Sequence, residues 1–169
     1  MSIVNYKKIS DYKLFKGLSD DELKRVANII TRTELDTGAI IIREGDTGVE
    51  LFLLEDGTVE VYKTLTIVTS KHDFGSKERS FIRLTADDHC YFGELALFGK
   101  GERSATVKAV TKCQLLVIVA EDFLKLCNEY PRIGYIIVTN VALILSDYLR
   151  KTNDDVVKLT TALSLALSG

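Results

Sequence analysis

The hydrophobic pattern of this chain changes its period twice, and that switch limits the folds open to it. From Gly38 onward, glycines at 38, 45, 48 and 57 punctuate short runs rich in Ile, Leu and Val: Ala39–Arg43, Glu50–Leu54 and Thr58–Tyr62. Thr58–Lys63 alternates polar with apolar residues, the period of a half-buried strand. Further strand-like runs fall at Leu65–Thr69, Ser80–Leu84, Ser104–Val110 and Gln114–Val119. Short strands at intervals of roughly 8–12 residues with glycine turns predict an antiparallel barrel or sandwich. The polar stretch Ser70–Arg79 reads as an exposed hairpin loop.

Helical grammar flanks this block. The first 35 residues read as helical, with Ser19 and Glu22 in capping-box spacing and Leu23, Val26, Ala27 and Ile30 as one apolar stripe. Glu121–Cys127 predicts a short helix with acids in its first turn, where they suit the dipole. Pro131, the only proline, opens the last apolar pattern, at a position where a helix loses no backbone donor. Ile137, Val141, Leu145, Tyr148, Thr152, Val156, Leu159, Leu163 and Ala166 then recur at steps of three and four, close to a coiled-coil seam. Such a helix packs on its own barrel or against a second chain. Its N-terminal half is apolar on more than one face, which favours burial between the barrel and another copy. A homodimer through this helix is the expectation.

Composition removes several function classes. Of 169 residues, 22 are Lys or Arg and 24 are Asp or Glu, so the basic excess of a nucleic-acid binder is missing. No basic-then-apolar leader opens the chain, and no uninterrupted apolar run, Val141–Leu145 included, comes near the roughly 20 residues of a membrane span. Cys90, Cys113 and Cys127 are odd in number and lack C-x-x-C spacing, which suits reduced thiols in a cytoplasmic protein. Two histidines leave little for a metal cluster or a triad, and no nucleophile–base–orienter set is evident. We expect no enzyme, no metal and no membrane partner.

The informative stretch is Phe92–Val107, FGELALFGKGERSATV. Gly93 precedes a short helix-forming run, and a glycine there lets backbone approach a ligand while the helix start offers free N–H groups to an anion. Arg103 follows nine residues after Glu94, and a guanidinium can hold two phosphate oxygens at once. Ser104 adds a hydroxyl and an N–H. Glu94 is out of place against a phosphate unless it accepts from a hydroxyl of the same ligand. A phosphate and a ribose hydroxyl held together describe a nucleotide.

This string resembles the phosphate-binding cassette of the cyclic nucleotide-binding domain family, F-G-E-[LIV]-A-L followed by R-[AST]-A-[TS]-V. Glu44–Val61, EGDTGVELFLLEDGTVEV, is similar to the family's second signature, E-G-D-x-G-x-x-[LF]-[YF] with a later G-x-V-x-V. The likeness runs from about Leu14 to Leu159. It implies a mainly β fold with flanking helices: an antiparallel jelly-roll, or double-stranded β-helix barrel, with N-terminal helices and a long C-terminal helix. The whole of 1–169 would be one domain, with a helical segment at 1–37, the barrel at 38–119 with its cassette at 92–107, and helices at 120–167.

The resemblance also implies roles. Gly93 and the N–H groups of Leu95 and Ala96 would cradle the ligand, Glu94 would bind the ribose 2′-hydroxyl, and Arg103 would pair with the cyclic phosphate, assisted by Ser104. Gly45 and Gly48 would hold turns without touching ligand. Thr152 and Asn153 stand where the catabolite-activator branch contacts adenine, including across a dimer; a register-setting polar layer is the other reading of that pair. A cyclic nucleotide sensor is implied, with cAMP ahead of cGMP and an unidentified downstream partner; Ser104 decides between the two nucleotides in neither direction. The alternative is a ligand-independent dimerisation module that keeps the fold. The last ten residues carry no basic side chain, so DNA binding by this chain alone is not expected. Two departures stand out: Glu102 replaces the usual proline before the arginine, and the approach Leu84–Phe92 is long and lacks a turn glycine.

Overall fold

The run Leu51-Phe52-Leu53-Leu54 is apolar on both faces of its strand, and the fold uses both. The computed structural model describes residues 4–70, 73–99 and 101–168. Among them are two four-stranded antiparallel sheets. One is ordered β1 (Ile30–Leu35), β8 (Cys113–Val119), β3 (Glu50–Asp56), β6 (Tyr91–Phe92). The other is ordered β2 (Ile40–Ile42), β7 (Thr106–Ala109), β4 (Thr58–Ser70), β5 (Asp73–Thr85). Leu51 and Leu53 of β3, with Leu116 and Ile118 of β8, pack outward under the helices. Leu54 and Leu115 face inward with Ile42, Val59, Phe92 and Val107, filling the space between the sheets. Strict alternation therefore sends successive residues into two different cores. This is the jelly-roll expected from the sequence.

The helices cover the first sheet. They are α1 (Tyr6–Ile9), α2 (Asp20–Ala27), α3 (Ala120–Glu129) and α4 (Pro131–Ser168), with a 3-10 turn at Lys13–Phe15. Ile133, Ile137 and Val141 bury the start of α4 in the same core as Leu14, Phe15, Phe123 and Leu126. Gly134 permits this approach, since a Cβ there would sit 2.9 Å from the Cβ of Cys127. Asn140 donates to the carbonyls of Leu14 (3.0 Å) and Lys16 (2.9 Å), fixing α4 to the N-terminal turn.

Several expectations need correction. Helix ends at Ala27, and Ile30–Leu35 is strand β1, paired with β8 from Ile30↔Ile118 to Leu35↔Cys113. Thr31, Thr33 and the isoleucines favour the extended backbone. Ile30 still reaches the same core, which is why it fitted the helical stripe. Leu65–Thr69 is no separate strand but the outer half of β4, and most of Ser70–Arg79 is β5, not loop. The ladder continues to Ser70↔Asp73, because cross-strand backbone pairing does not require an apolar face. The tip, Lys71 and His72, lies outside the described residues. Strand β6 has two residues and no periodicity to betray it.

The sequence test for a membrane span also needs revision. By length and composition α4 is apolar enough to cross a bilayer, although Thr139, Asn140 and Ser146 interrupt its apolar run. Its first turns are instead buried in protein. Beyond Leu145 the helix leaves the barrel: Tyr148, Val156, Leu159 and Leu163 of the expected seam are 52–70% exposed. The three cysteines are free thiols, and burial pushes that of Cys90 up to about 11.

The capping box at α2 does more than start a helix. Ser19 N–H donates to Glu22 Oε2 (2.8 Å) and Glu22 N–H to Ser19 Oγ (3.4 Å), while the other carboxylate oxygen of Glu22 pairs with Arg132 in the first turn of α4. Arg25 lies over the Tyr130 ring at 4.0 Å. Together they clasp the α3–α4 joint. The Arg132 guanidinium, followed by the Ser19 N–H, holds the Glu22 carboxyl at about 2, below its ordinary 4.5. A depressed folded value adds stability above the unfolded value, and that stability is lost as pH falls through the folded one. Glu22→Gln should therefore lower the urea midpoint at pH 7, with the gap to wild type closing between about pH 4.5 and 2.

Candidate functional site

Phe92–Val107 wraps one end of the space between the sheets. Gly93 adopts the left-handed conformation (φ 80°, ψ 17°) that L side chains rarely take, and this turns the chain from β6 into a 3-10 turn at Glu94–Leu97. Ala96 and Leu97 are buried and anchor the turn, while Leu95 and Phe98 are about half exposed. Ala96 N–H is spent on the Gly93 carbonyl (3.1 Å), so it is not the free donor expected of it. Among the described residues, the Leu95 N–H makes no hydrogen bond outside its own turn. An open cavity of about 140 Å³ lies against this turn, lined by Gly93, Glu94, Leu95 and Ala96 on one side and Glu102, Arg103 and Ser104 on the other.

Arg103 organises the site. It does not open a strand, as its sequence position suggested; it lies between the Glu102 bridge and the bend at Ser104 and Ala105 that leads into β7. Its backbone is tied both ways to the turn after β2: Arg103 N–H donates to Asp46 O (2.8 Å), and Gly45 N–H donates to Arg103 O (2.9 Å). Glu102 bridges Thr47 beside it. The side chain is only 9% exposed. Its Nη1 donates to the carbonyls of Glu50 (3.0 Å) and Gly93 (3.5 Å), and its Nη2 to Glu50 Oε2 (3.0 Å). A guanidinium has five N–H donors, so Nε–H and one Nη2–H remain without a partner among the described residues. On its other side the guanidinium walls a second cavity of about 380 Å³, reaching Thr33, Gly48, Glu50 and Phe52.

Two residues that the sequence reading treated as bystanders belong to this arrangement. Gly48 holds no left-handed turn; it leaves room, because a Cβ there would fall 2.2 Å from Arg103 Nη2. Glu50, given no role from sequence, orients the guanidinium, and its Oε2 also accepts the Val49 N–H (3.0 Å). The signal available was spacing alone: both lie in the EGDTGVE run whose backbone meets Arg103.

Glu94 is half-buried, lines the cavity, and forms no hydrogen bond or ion pair among the described residues. Ser104 and Glu102 are exposed at the rim. Lys100 lies outside the described residues. The long approach strand needs no turn glycine because His89 itself takes the left-handed conformation (φ 45°, ψ 44°), braced by its N–H to Ala86 O (3.0 Å) and by the Tyr12 ring at 5.8 Å. Burial pushes the Tyr91 hydroxyl up to about 12, with Tyr148 of α4 and then Glu94 adding to the shift. Tyr91 and Tyr148 of α4 line one cavity, so α4 runs beside the strand that leads into the cassette. Thr152 and Asn153, one turn further along, are exposed and line neither cavity. Gly48→Ala should displace the guanidinium and lower stability by about 1–3 kcal/mol, measured by urea denaturation.

Comparison with known proteins bears on the family of the chain. The sequence profile of the family described as the cyclic nucleotide-binding domain matches residues 32–130. The cyclic AMP receptor protein of Thermus thermophilus is 31% identical over 140 residues, 83% of this chain and 58% of the receptor. A regulatory subunit of cAMP-dependent protein kinase from Schizosaccharomyces pombe is 30% identical over 121 residues, 72% of this chain and 26% of the subunit. The crystal structure of the Thermus thermophilus catabolite activator protein superposes with a TM-score of 0.73 at 30% identity, over 88% of this chain and 63% of that one. The chain thus spans little more than half of the receptor and about a quarter of the kinase subunit. With its two signatures meeting at Arg103 in a jelly-roll, the chain belongs to the cyclic nucleotide-binding domain family.

Proposed function

We propose that this chain is a non-enzymatic cyclic nucleotide sensor in which residues 1–169 act as one unit, with cAMP preferred over cGMP. One observation carries the reading. A half-buried carboxylate without a partner, Glu94, faces a cavity that also holds a fixed guanidinium with two unused donors. A ligand with a single phosphate charge beside a ribose hydroxyl satisfies both. Arg103 would bind the cyclic phosphate, helped by Ser104, Gly93 and the Leu95 N–H; Glu94 would accept from the 2′-hydroxyl. The preference for cAMP follows the names of the two relatives above. Three free thiols suit the cytoplasm.

The cavity is smaller than the roughly 300 Å³ at which small-molecule sites begin, so it encloses only part of a nucleotide. The base then needs cover from elsewhere. The exposed seam of α4 supports a parallel pairing with a second copy, whose Thr152 and Asn153 would cover the base. Ligand would favour one arrangement of α4 only by binding it more tightly than the other. A second reading, a dimerisation module indifferent to nucleotide, is favoured by the Glu50 carboxylate already resting on Arg103.

Calorimetric titration separates the two. We expect cAMP to bind more tightly than cGMP, and Arg103→Ala to weaken cAMP by at least about 100-fold, as loss of a buried charge partner does. A folded protein that binds neither nucleotide at about 1 mM would overturn the sensor reading. Light scattering on a sizing column should give twice the 18.8 kDa chain mass. Leu159→Lys with Leu163→Lys should return it to one chain, without loss of the barrel's melting transition.

A further inference from the structure

The charge around Arg103 is unusual for a site that takes an anion. Among the described residues, Arg103 is the only cation lining the first cavity, whereas Glu94 and Glu102 line it too. Glu50 reaches the same guanidinium from behind, with Oε2 at 3.0 Å from Nη2. The Glu50 carboxylate cannot swing aside freely, because the same oxygen accepts the Val49 N–H at 3.0 Å. Nor can the guanidinium slide away, because the Glu50 and Gly93 carbonyls hold Nη1.

We propose that Glu50 is a charge filter: it leaves Arg103 enough donors for a phosphodiester monoanion and repels a phosphomonoester dianion. The inference rests on the sensor reading above and names what that site excludes. Two unused donors on one guanidinium suit two oxygens of a diester that carries one charge. A phosphomonoester has a second pKa near 6 and carries close to two charges at neutral pH. The second charge finds no cation besides Arg103 among the described residues that line the first cavity. It would lie about 5–6 Å from the Glu50 carboxylate, two hydrogen-bond lengths meeting at one guanidinium. That is inside the screening length of about 8 Å at physiological salt. Nucleoside 5′-monophosphates, the ring-opened products of cyclic nucleotide hydrolysis, would therefore be rejected by charge and not by shape alone. The site would then release its signal as soon as the ring is opened.

The test compares three ligands by calorimetry at pH 7.5: cAMP, 5′-AMP, and the methyl ester of 5′-AMP. The ester is ring-opened like 5′-AMP but carries one charge like cAMP. Wild type should bind the ester at least about tenfold more tightly than 5′-AMP, and Glu50→Gln should narrow the ratio of 5′-AMP to cAMP dissociation constants by at least about tenfold. Glu50→Asp, which keeps the charge, should hold that ratio within about threefold. An ester no tighter than 5′-AMP in wild type overturns the proposal, as does an unchanged ratio in folded Glu50→Gln. Should Glu50→Gln not fold, the wild-type comparison of ester with monophosphate decides alone. A wild type that binds no cAMP sinks the sensor reading itself, and the filter with it; binding of cAMP without discrimination by charge sinks only the filter.

Discussion

A single buried guanidinium joins the parts of this protein that matter for its site. Arg103 is fixed at both ends: its backbone by Gly45 and Asp46, its side chain by Glu50 and by the Gly93 carbonyl. A buried, unpaired guanidinium would cost several kcal/mol, so each of these partners is required once Arg103 points inward. Gly48 and Gly93 follow from the same requirement, since a Cβ on either would fall within 2.5 Å of a guanidinium nitrogen. The jelly-roll supplies the frame by bringing the turn after β2, the start of β3 and the bend before β7 to one end of the lumen.

The helices answer to a different constraint. Sheet β1-β8-β3-β6 is apolar on both faces, so its outer face must be covered. The N-terminal turn, α2, α3 and the first turns of α4 do this as one layer. The Glu22–Arg132 pair and the Asn140 bonds make the α4 start part of that layer, not an appendage. The rest of α4, with Tyr148, Val156, Leu159 and Leu163 exposed, has no such cover within the chain. Among the described residues α4 is thus half core and half uncovered surface.

Much of the fold was legible because it is written in local patterns. Glycine-punctuated β runs, the Ser19–Glu22 box and Pro131 at the head of α4 each act within a few residues. The misreadings fell where periodicity is ambiguous. Ile30 suits a helical stripe and a strand equally well, and only its pairing with Ile118 decides. Ser70–Arg79 looks like loop because its side chains are polar, yet its backbone is laddered to β4. At the site, Gly93, Glu94 and Arg103 were legible from their residue types in sequence order. Glu50 was not, because an acid five residues after a glycine turn carries no local mark of what it will touch.

Local pattern was enough to name the class of fold and the stretch that lines the cavity, because these depend on hydrophobic period, turn chemistry and side-chain type. Tertiary structure alone decided that Gly48 exists to make room, that the Ala96 N–H is already spent, and that Glu50, 53 residues before Arg103, sets how the guanidinium is presented. The reason is that these are contacts between distant segments. Their geometry is fixed only when two sheets close around a common lumen, and no spacing along the chain encodes a distance across it.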